Sequence, residues 1–331
     1  MKRSWILWIL FLALIYVVIT RFVEIRQFVR VLLQGQWQWV LAAALLQGLH
    51  YILYAAIYDA SFETVGVESH LRELVPVVFA SLFVNFFAIT GGVAIFIDDM
   101  ATRGRSAARA TAGTILGLIA DYGTFVILVI VTIAYLATQH LFTTLEIITA
   151  SILVSTTVGL ALVLLLALWR PLWLRGLLNW VQRAINQLGR WIRHKPWLPE
   201  DWARRNASEF AQAAFALVTR PRPASYAFFY ALIHHLVGVI SLYTLFLAFH
   251  QPVTAWVLLA AYTMGILFWT VSPTPQGIGF VEGAMVLTMT SLGIPAASAT
   301  VITLAFRGVS FWLPLLVGVL FWPRVRSFGG K

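Results

Sequence analysis

Ser272-Pro273-Thr274-Pro275-Gln276-Gly277-Ile278-Gly279-Phe280-Val281-Glu282-Gly283 is a helix-breaking, acid-bearing stretch set between long apolar runs. Pro273 and Pro275 remove backbone donors while Gly277 and Gly279 permit turns and close approach, so no uninterrupted helix is expected across it. Outward from this stretch the chain resembles hydrocarbon: of 331 residues, 60% are hydrophobic, 11% are charged and 14 are Trp. That balance excludes a soluble domain and points to an all-α, polytopic integral membrane helix bundle. A span needs about 20 mostly apolar residues. Candidates are Trp5–Thr20, Trp37–Tyr58, Leu74–Ile97, Thr111–Ala137, Leu145–Trp169, Ala224–Phe249, Val253–Val271, a broken segment Pro273–Leu292, and Pro295–Trp322. Broken backbone at membrane depth survives only where protein or a water-filled cavity satisfies it. The carboxylate of Glu282 beside the break therefore marks a functional site.

Charge placement orients the bundle. Between Arg170 and Pro223 stand ten basic residues against three acids, a net charge of +7; by the positive-inside rule this loop is cytoplasmic. Arg103, Arg105 and Arg109 mark a second cytoplasmic connection, and Arg21, Arg26 and Arg30 a third. The Asp59–Glu73 connection, with four acids and one arginine, suits the outer side. Arg324, Arg326 and Lys331 put the C-terminus inside. One crossing per segment would then leave Met1 outside despite Lys2 and Arg3, so either the start breaks the rule or one segment is re-entrant. The first segment could be mistaken for a signal peptide, but no small-residue cleavage site follows it, and Arg21 with Arg26 argue for a retained helix. The chain has no cysteine, which removes disulfides, thiolate chemistry and Cys-ligated metals.

Within the basic loop, Trp173, Leu177, Val181, Ala184, Leu188 and Trp191 recur in steps of three and four, opposite Arg175, Arg183, Arg190 and Arg193. This predicts an amphipathic helix, with a weaker one over Asp201–Val218. Such a cap either packs on the bundle or lies in the headgroup region against anionic lipid. Nucleic acid is not an expected partner, because a Trp-rich face is wasted on a phosphate backbone. The chain thus reads as one membrane domain, 1–331, with a first half (1–169), a basic cytoplasmic cap (170–223) and a second half (224–331). Each half carries a glycine-centred interruption followed by an acid: Gly91-Gly92 with Asp98-Asp99, and Gly277/Gly279 with Glu282. Interruptions at corresponding positions of two halves point to a transporter binding site, although small residues also serve helix packing.

The remaining polar residues within apolar runs are few. Arg307 lies in the last of them, where a guanidinium must pair with a carboxylate or a phosphate. Asp121 sits mid-segment. Adjacent His234 and His235 diverge by about 100° on a helix and make no metal site unaided, so no metal or cofactor is expected. His50, Tyr51, Tyr54 and Tyr58 form a stripe read as an interfacial belt. Walker loops, His-Glu-x-x-His and Gly-x-Ser-x-Gly are absent from the sequence, so neither ATP-driven transport nor standard hydrolase chemistry is expected of the chain.

Asn85, Gly91-Gly92, the Arg103–Arg109 connection with Ala107-Ala108-Arg109-Ala110, Asp121-Tyr122, Pro273-x-Pro275-x-Gly277-x-Gly279-x-x-Glu282 and Arg307 together resemble the lysylphosphatidylglycerol synthase transmembrane domain family. This is a flippase-like family, and the similarity covers essentially the whole chain. Gln276 stands where its pattern P-x-P-G-G-x-G-x-x-E usually has its first glycine, and Gly91-Gly92 and Asp98-Asp99 stand where many relatives carry Gly-Glu followed by Arg. The resemblance implies movement of a lipid head group between leaflets, in a prokaryotic cytoplasmic membrane. It also implies a separate lipid-synthesising enzyme as partner, since no synthase domain is recognisable within residues 1–331. The substrate would be a phospholipid or lipid-linked molecule entering a cleft between the halves. Arg307 would bind phosphate, Glu282 would hold Arg307 or a cationic head group, and the glycine breaks near Gly91, Gly92, Gly277 and Gly279 would offer backbone amides. Readings of another class are a membrane enzyme with Asp98, Asp99 or Glu282 as base, and a subunit recruiting a cytoplasmic partner.

Overall fold

The computed structural model describes residues 22–87, 91–141, 144–193 and 198–321. The first predicted span, Trp5–Thr20, and Arg21, Arg324, Arg326 and Lys331 lie outside the described residues. Among those described, all regular structure is helical: α1 (Phe22–Gln34), α2 (Trp37–Thr64), α3 (Leu71–Phe87), α4 (Gly91–Thr102), α5 (Ala107–Thr138), α6 (Thr144–Trp169), α7 (Pro171–Arg193), α8 (Trp202–Thr219), α9 (Pro221–Ala248), α10 (Ala255–Val271), α11 (Phe280–Ser291), α12 (Ala296–Arg307) and α13 (Leu313–Phe321). A π-helical turn, Gly308–Trp312, joins the last two. Among the described residues, five helices are long and apolar enough to cross a membrane: α2, α5, α6, α9 and the Ala296–Gly318 run. The protein is a polytopic membrane helix bundle.

Leu74–Ile97, predicted as one span, is a hairpin. Asn85 near the end of α3 accepts from the Gly92 amide at the start of α4 at 2.8 Å, and at the open end Glu73 pairs with Arg103 at 3.0 Å and Arg105 at 3.3 Å. Chain entry and exit therefore share one face. The acidic connection before α3 and the basic one after α4, assigned above to opposite sides, meet and neutralise each other. A second hairpin joins α10 to α11 through the broken segment, and Met285 of α11 lies against Gly265 of α10. The first hairpin returns to its face of entry, which makes Leu74–Ile97 a re-entrant segment of the kind the charge reading left open. Arg26 and Arg30 sit exposed on α1 itself rather than in a cap-side connection. α1 ends on the opposite face, where Gln36 donates its amide to Ala248 O at 3.0 Å.

The central pair is α2 and α9, antiparallel along their length. Each has 28 residues and is followed by helices of 17 and 12. His50 and His234, 184 residues apart, hold the same position in their respective helices; Nδ1 of each lies 2.9 Å from the other's carbonyl oxygen, and the rings stack at 3.6 Å. Reciprocal bonds of this kind mark a pseudo-two-fold axis between inverted repeats.

Between the repeats sits the α7–α8 cap. Asn186 fastens the turn into α8 through Leu198, its Oδ1 accepting from the amide at 2.8 Å and its Nδ2 donating to the carbonyl at 3.0 Å. α8 docks on the start of α5, with Arg109 donating to Gln212 at 3.1 Å and Ser106 to Glu209. Leu174 and Gln182 of α7 are buried, but Trp173, Leu177, Trp180 and Leu188 are 71, 46, 62 and 47% exposed. The apolar stripe thus faces out of the protein, continuing from exposed Trp169 at the end of α6.

Candidate functional site

The proline and glycine residues of the broken segment set its path. Pro275–Gly277 forms a single 3-10 turn. Gln276, Gly277 and Gly279 all take positive φ, at 54°, 73° and 85°, which turns the chain back into α11. Glu282 in the first turn of α11 accepts the Gly279 amide at 2.7 Å through Oε2, a capping arrangement that also suits the helix dipole. Its other oxygen accepts from Arg307 Nε at 2.7 Å. Arg307 Nη2 donates to the Gln276 carbonyl at 2.9 Å, and its guanidinium lies 4.7 Å from the centre of the Phe311 ring. The π turn after Arg307 brings Ser310 and Phe311 to the same side, and Ser310 O accepts from Tyr51 at 2.6 Å. π turns recur at functional sites.

Of these, Tyr51, Gln276, Arg307, Ser310 and Phe311 line a cavity of about 200 Å³ between the central helices and both hairpins, together with Asn85, Asp121, His50, His234, His235 and Tyr262; Glu282, which holds Arg307, is not in the lining. Gln276 closes the cavity between the hairpins: its side-chain oxygen accepts from Trp269 at 3.1 Å, and its amide nitrogen reaches Leu82 O of α3 at 3.4 Å.

The sequence-derived candidates separate accordingly. Arg307, Glu282, Gly277 and Gly279 come together, and of the candidates Arg307 and Asp121 line the cavity. Gly91 and Gly92 open α4 beneath Asn85. Pro273 is exposed, and Pro275 begins the turn. Asp98 is exposed on α4 away from the cavity lining; its neighbour Asp99 is fully buried and pairs with Arg103 at 2.6 Å. The first half thus has a carboxylate–arginine pair, one residue later than the candidate. Three of the glycine amides are already used within the protein. Gly277 N donates to Thr274 O, Gly279 N to Glu282 and Gly92 N to Asn85.

The His50–Tyr58 stripe faces the interior, not a membrane interface. α2 is a central helix, so its polar face turns to α9 and the cavity. Sequence reasoning also missed the convergence of α9 on α5: His235 Nε2 lies 3.3 Å and His234 Nε2 3.8 Å from Asp121 Oδ1. Hydrophobicity alone carries no signal for that meeting.

The family model for the lysylphosphatidylglycerol synthase transmembrane region matches residues 5–318. The chain belongs to this family. A UPF0104 membrane protein of Pyrococcus horikoshii is 23% identical over 308 residues, covering 89% of each chain. Another, of Methanocaldococcus jannaschii, is 30% identical over 94 residues, 28% of each chain; that alignment spans less than a third of the relative's length. No solved structure matches the chain. Family membership makes the buried Arg307, its half-buried partner Glu282 and the cavity that Arg307 lines the part of an integral membrane protein to read against lipid chemistry.

Proposed function

We propose that this protein translocates a polar, phosphate-bearing lipid head group between leaflets, with the acyl chains left in surrounding lipid. The observation that carries this is a buried arginine facing a largely apolar cavity with a few polar side chains, where two inverted hairpins meet, in a family associated with a lipid-modifying synthase. Two of Arg307's five N–H donors are held by Glu282 and the Gln276 carbonyl; this fixes the guanidinium plane and leaves its other donors for a phosphate. With about 30 Å³ per water, a cavity of about 200 Å³ has room for a phosphoryl head group but not for two acyl chains. Glu282 acts as the positioning residue. Anionic lipid under the exposed Trp173–Leu188 stripe and its flanking arginines would anchor the cap, and a lipid-synthesising enzyme would supply the substrate.

The test uses purified protein in vesicles containing a fluorescent-headgroup phospholipid. Label accessible to an external quencher should increase without ATP, more than in protein-free vesicles. Arg307→Ala should abolish most of the increase, whereas exposed Arg204→Ala should not, and Arg307→Lys should rescue only part because an ammonium lacks the planar fork. Equal rates for wild type, Arg307→Ala and empty vesicles across anionic and zwitterionic lipids would overturn the proposal. A changed lipid mass would favour the enzyme reading instead.

A further inference from the structure

We propose that Asp121, His234 and His235 form a binding site for a divalent metal ion of the zinc type, with a coordination position open to the central cavity. The three residues line that cavity and are themselves buried. One ligand atom from each lies within 4.8 Å of the others, with imidazole–carboxylate separations of 3.3 and 3.8 Å. In a tetrahedral site with bonds of about 2.0–2.2 Å, neighbouring ligand atoms stand roughly 3.4 Å apart, so modest side-chain adjustment completes the geometry. Two histidines that diverge on α9 are made convergent by one carboxylate on α5.

The hydrogen bonds around the cluster support the assignment. His234 Nδ1 lies 2.9 Å from the His50 carbonyl oxygen. A carbonyl only accepts, so Nδ1 carries the proton, and the neutral ring presents a lone pair at Nε2. His235 Nδ1 lies 3.3 Å from the Tyr262 hydroxyl, which can accept in the same way. Orientation of a ligating imidazole by an oxygen at its far nitrogen is the usual outer support of a metal site. Asp121 Oδ1 is buried without a hydrogen bond of good geometry, an expensive state for a carboxylate at membrane depth. Lone pairs of two imidazoles directed at a carboxylate repel unless a cation stands between them. One proton satisfies one of the contacts; a divalent ion satisfies all three. The competing arrangement puts a proton on His235 Nε2 and donates it to the Asp121 backbone oxygen, 3.2 Å away. The open position would take water or a phosphate oxygen, yet the metal assignment stands without the transport reading.

Metal-stripped protein in detergent, titrated with Co²⁺, should develop the visible absorption of a tetrahedral nitrogen–oxygen site, with about one ion per chain by elemental mass spectrometry and displacement by Zn²⁺. Asp121→Asn and His235→Gln should each weaken Co²⁺ binding by more than about tenfold, and Tyr262→Phe, which removes only the outer support, by roughly tenfold. His250→Gln, on the opposite face, should bind as wild type. If Asp121→Asn does not remain monodisperse, the Tyr262→Phe affinity decides. A Co²⁺ affinity unchanged in Asp121→Asn or in Tyr262→Phe would overturn the proposal. So would a wild-type chain that binds neither metal, the outcome expected if a proton alone occupies the cluster.

Discussion

Gln276 holds a left-handed conformation that costs a non-glycine residue roughly 1–2 kcal/mol. Its two side-chain bonds, to Trp269 and Leu82, offset that cost by tying the hairpins together, while its carbonyl fixes Arg307. A glycine there would relieve the strain and lose the tie. Gly277 has no such freedom. At φ 73° an added Cβ would also meet Val281 Cγ2 at 2.5 Å. We expect Gly277→Ala to destabilise the protein by roughly 2 kcal/mol or more. Gly283 is helical with nothing within 4 Å of an added Cβ, so Gly283→Ala should stabilise by about 0.5–1 kcal/mol. Thermal unfolding in detergent measures both; equal losses would contradict the turn geometry.

At the scale of elements, the helices end in a shared way. After α2, α4, α5, α9 and α11 a residue with positive φ closes the last turn: Gly66, Gly104, His140, His250 and Gly293. In each case its own amide and the next one bond back to carbonyls of that turn, the Schellman pattern. His140 is exposed and pays for a conformation that glycine adopts freely. His140→Gly should therefore raise stability by roughly 1 kcal/mol, read as an upward shift in melting temperature. None of these five stops was read from the sequence, and the two histidine stops carry no composition signal, because only the backbone angle distinguishes them from ordinary helix ends. The same limit applied to larger elements. α7 was legible from its three-and-four periodicity, and the α10–α11 break from its prolines and glycines. The α3–α4 hairpin was not, because hydropathy counts apolar residues without recording direction, and Gly91-Gly92 between apolar runs serves a turn or a packed helix equally well. Of the site, the Arg307–Glu282 pair was legible because unpaired charge in hydrocarbon is costly. The Asp121–His234–His235 meeting depends on how α5 crosses α9, which no local pattern states. For α7, the outward stripe implies contact with lipid: brominated phospholipids should quench Trp173 and Trp180 emission, and little quenching in single-Trp chains would place the helix away from the bilayer.

For the whole molecule, the inverted arrangement assigns every connection to one of two faces. The cap face gathers the end of α2, both ends of the first hairpin, and the starts of α5 and α9; Arg220 reaches Glu63 O across it at 3.4 Å. The opposite face gathers the start of α2, the end of α9 and both ends of the second hairpin, with Gln36 and His250 side chains in contact at 3.1 Å. Charge counts alone separated Glu73 from Arg103 and Arg105, yet their ion pairs require a common face. The two placements make opposite predictions for a labelling experiment, and a chain without cysteine needs no background removed. Single substitutions Glu68→Cys, Ala101→Cys and Asp201→Cys should all react with a membrane-impermeant thiol reagent from the same side in sealed, uniformly oriented vesicles. Gln139→Cys, Thr254→Cys and Ala296→Cys, at exposed positions beyond the other helix ends, should react only from the other side. Labelling of Glu68→Cys and Ala101→Cys from opposite sides would mean that residues 71–102 cross the membrane. The first hairpin, and with it the inverted repeat that frames the cavity, would then be wrong.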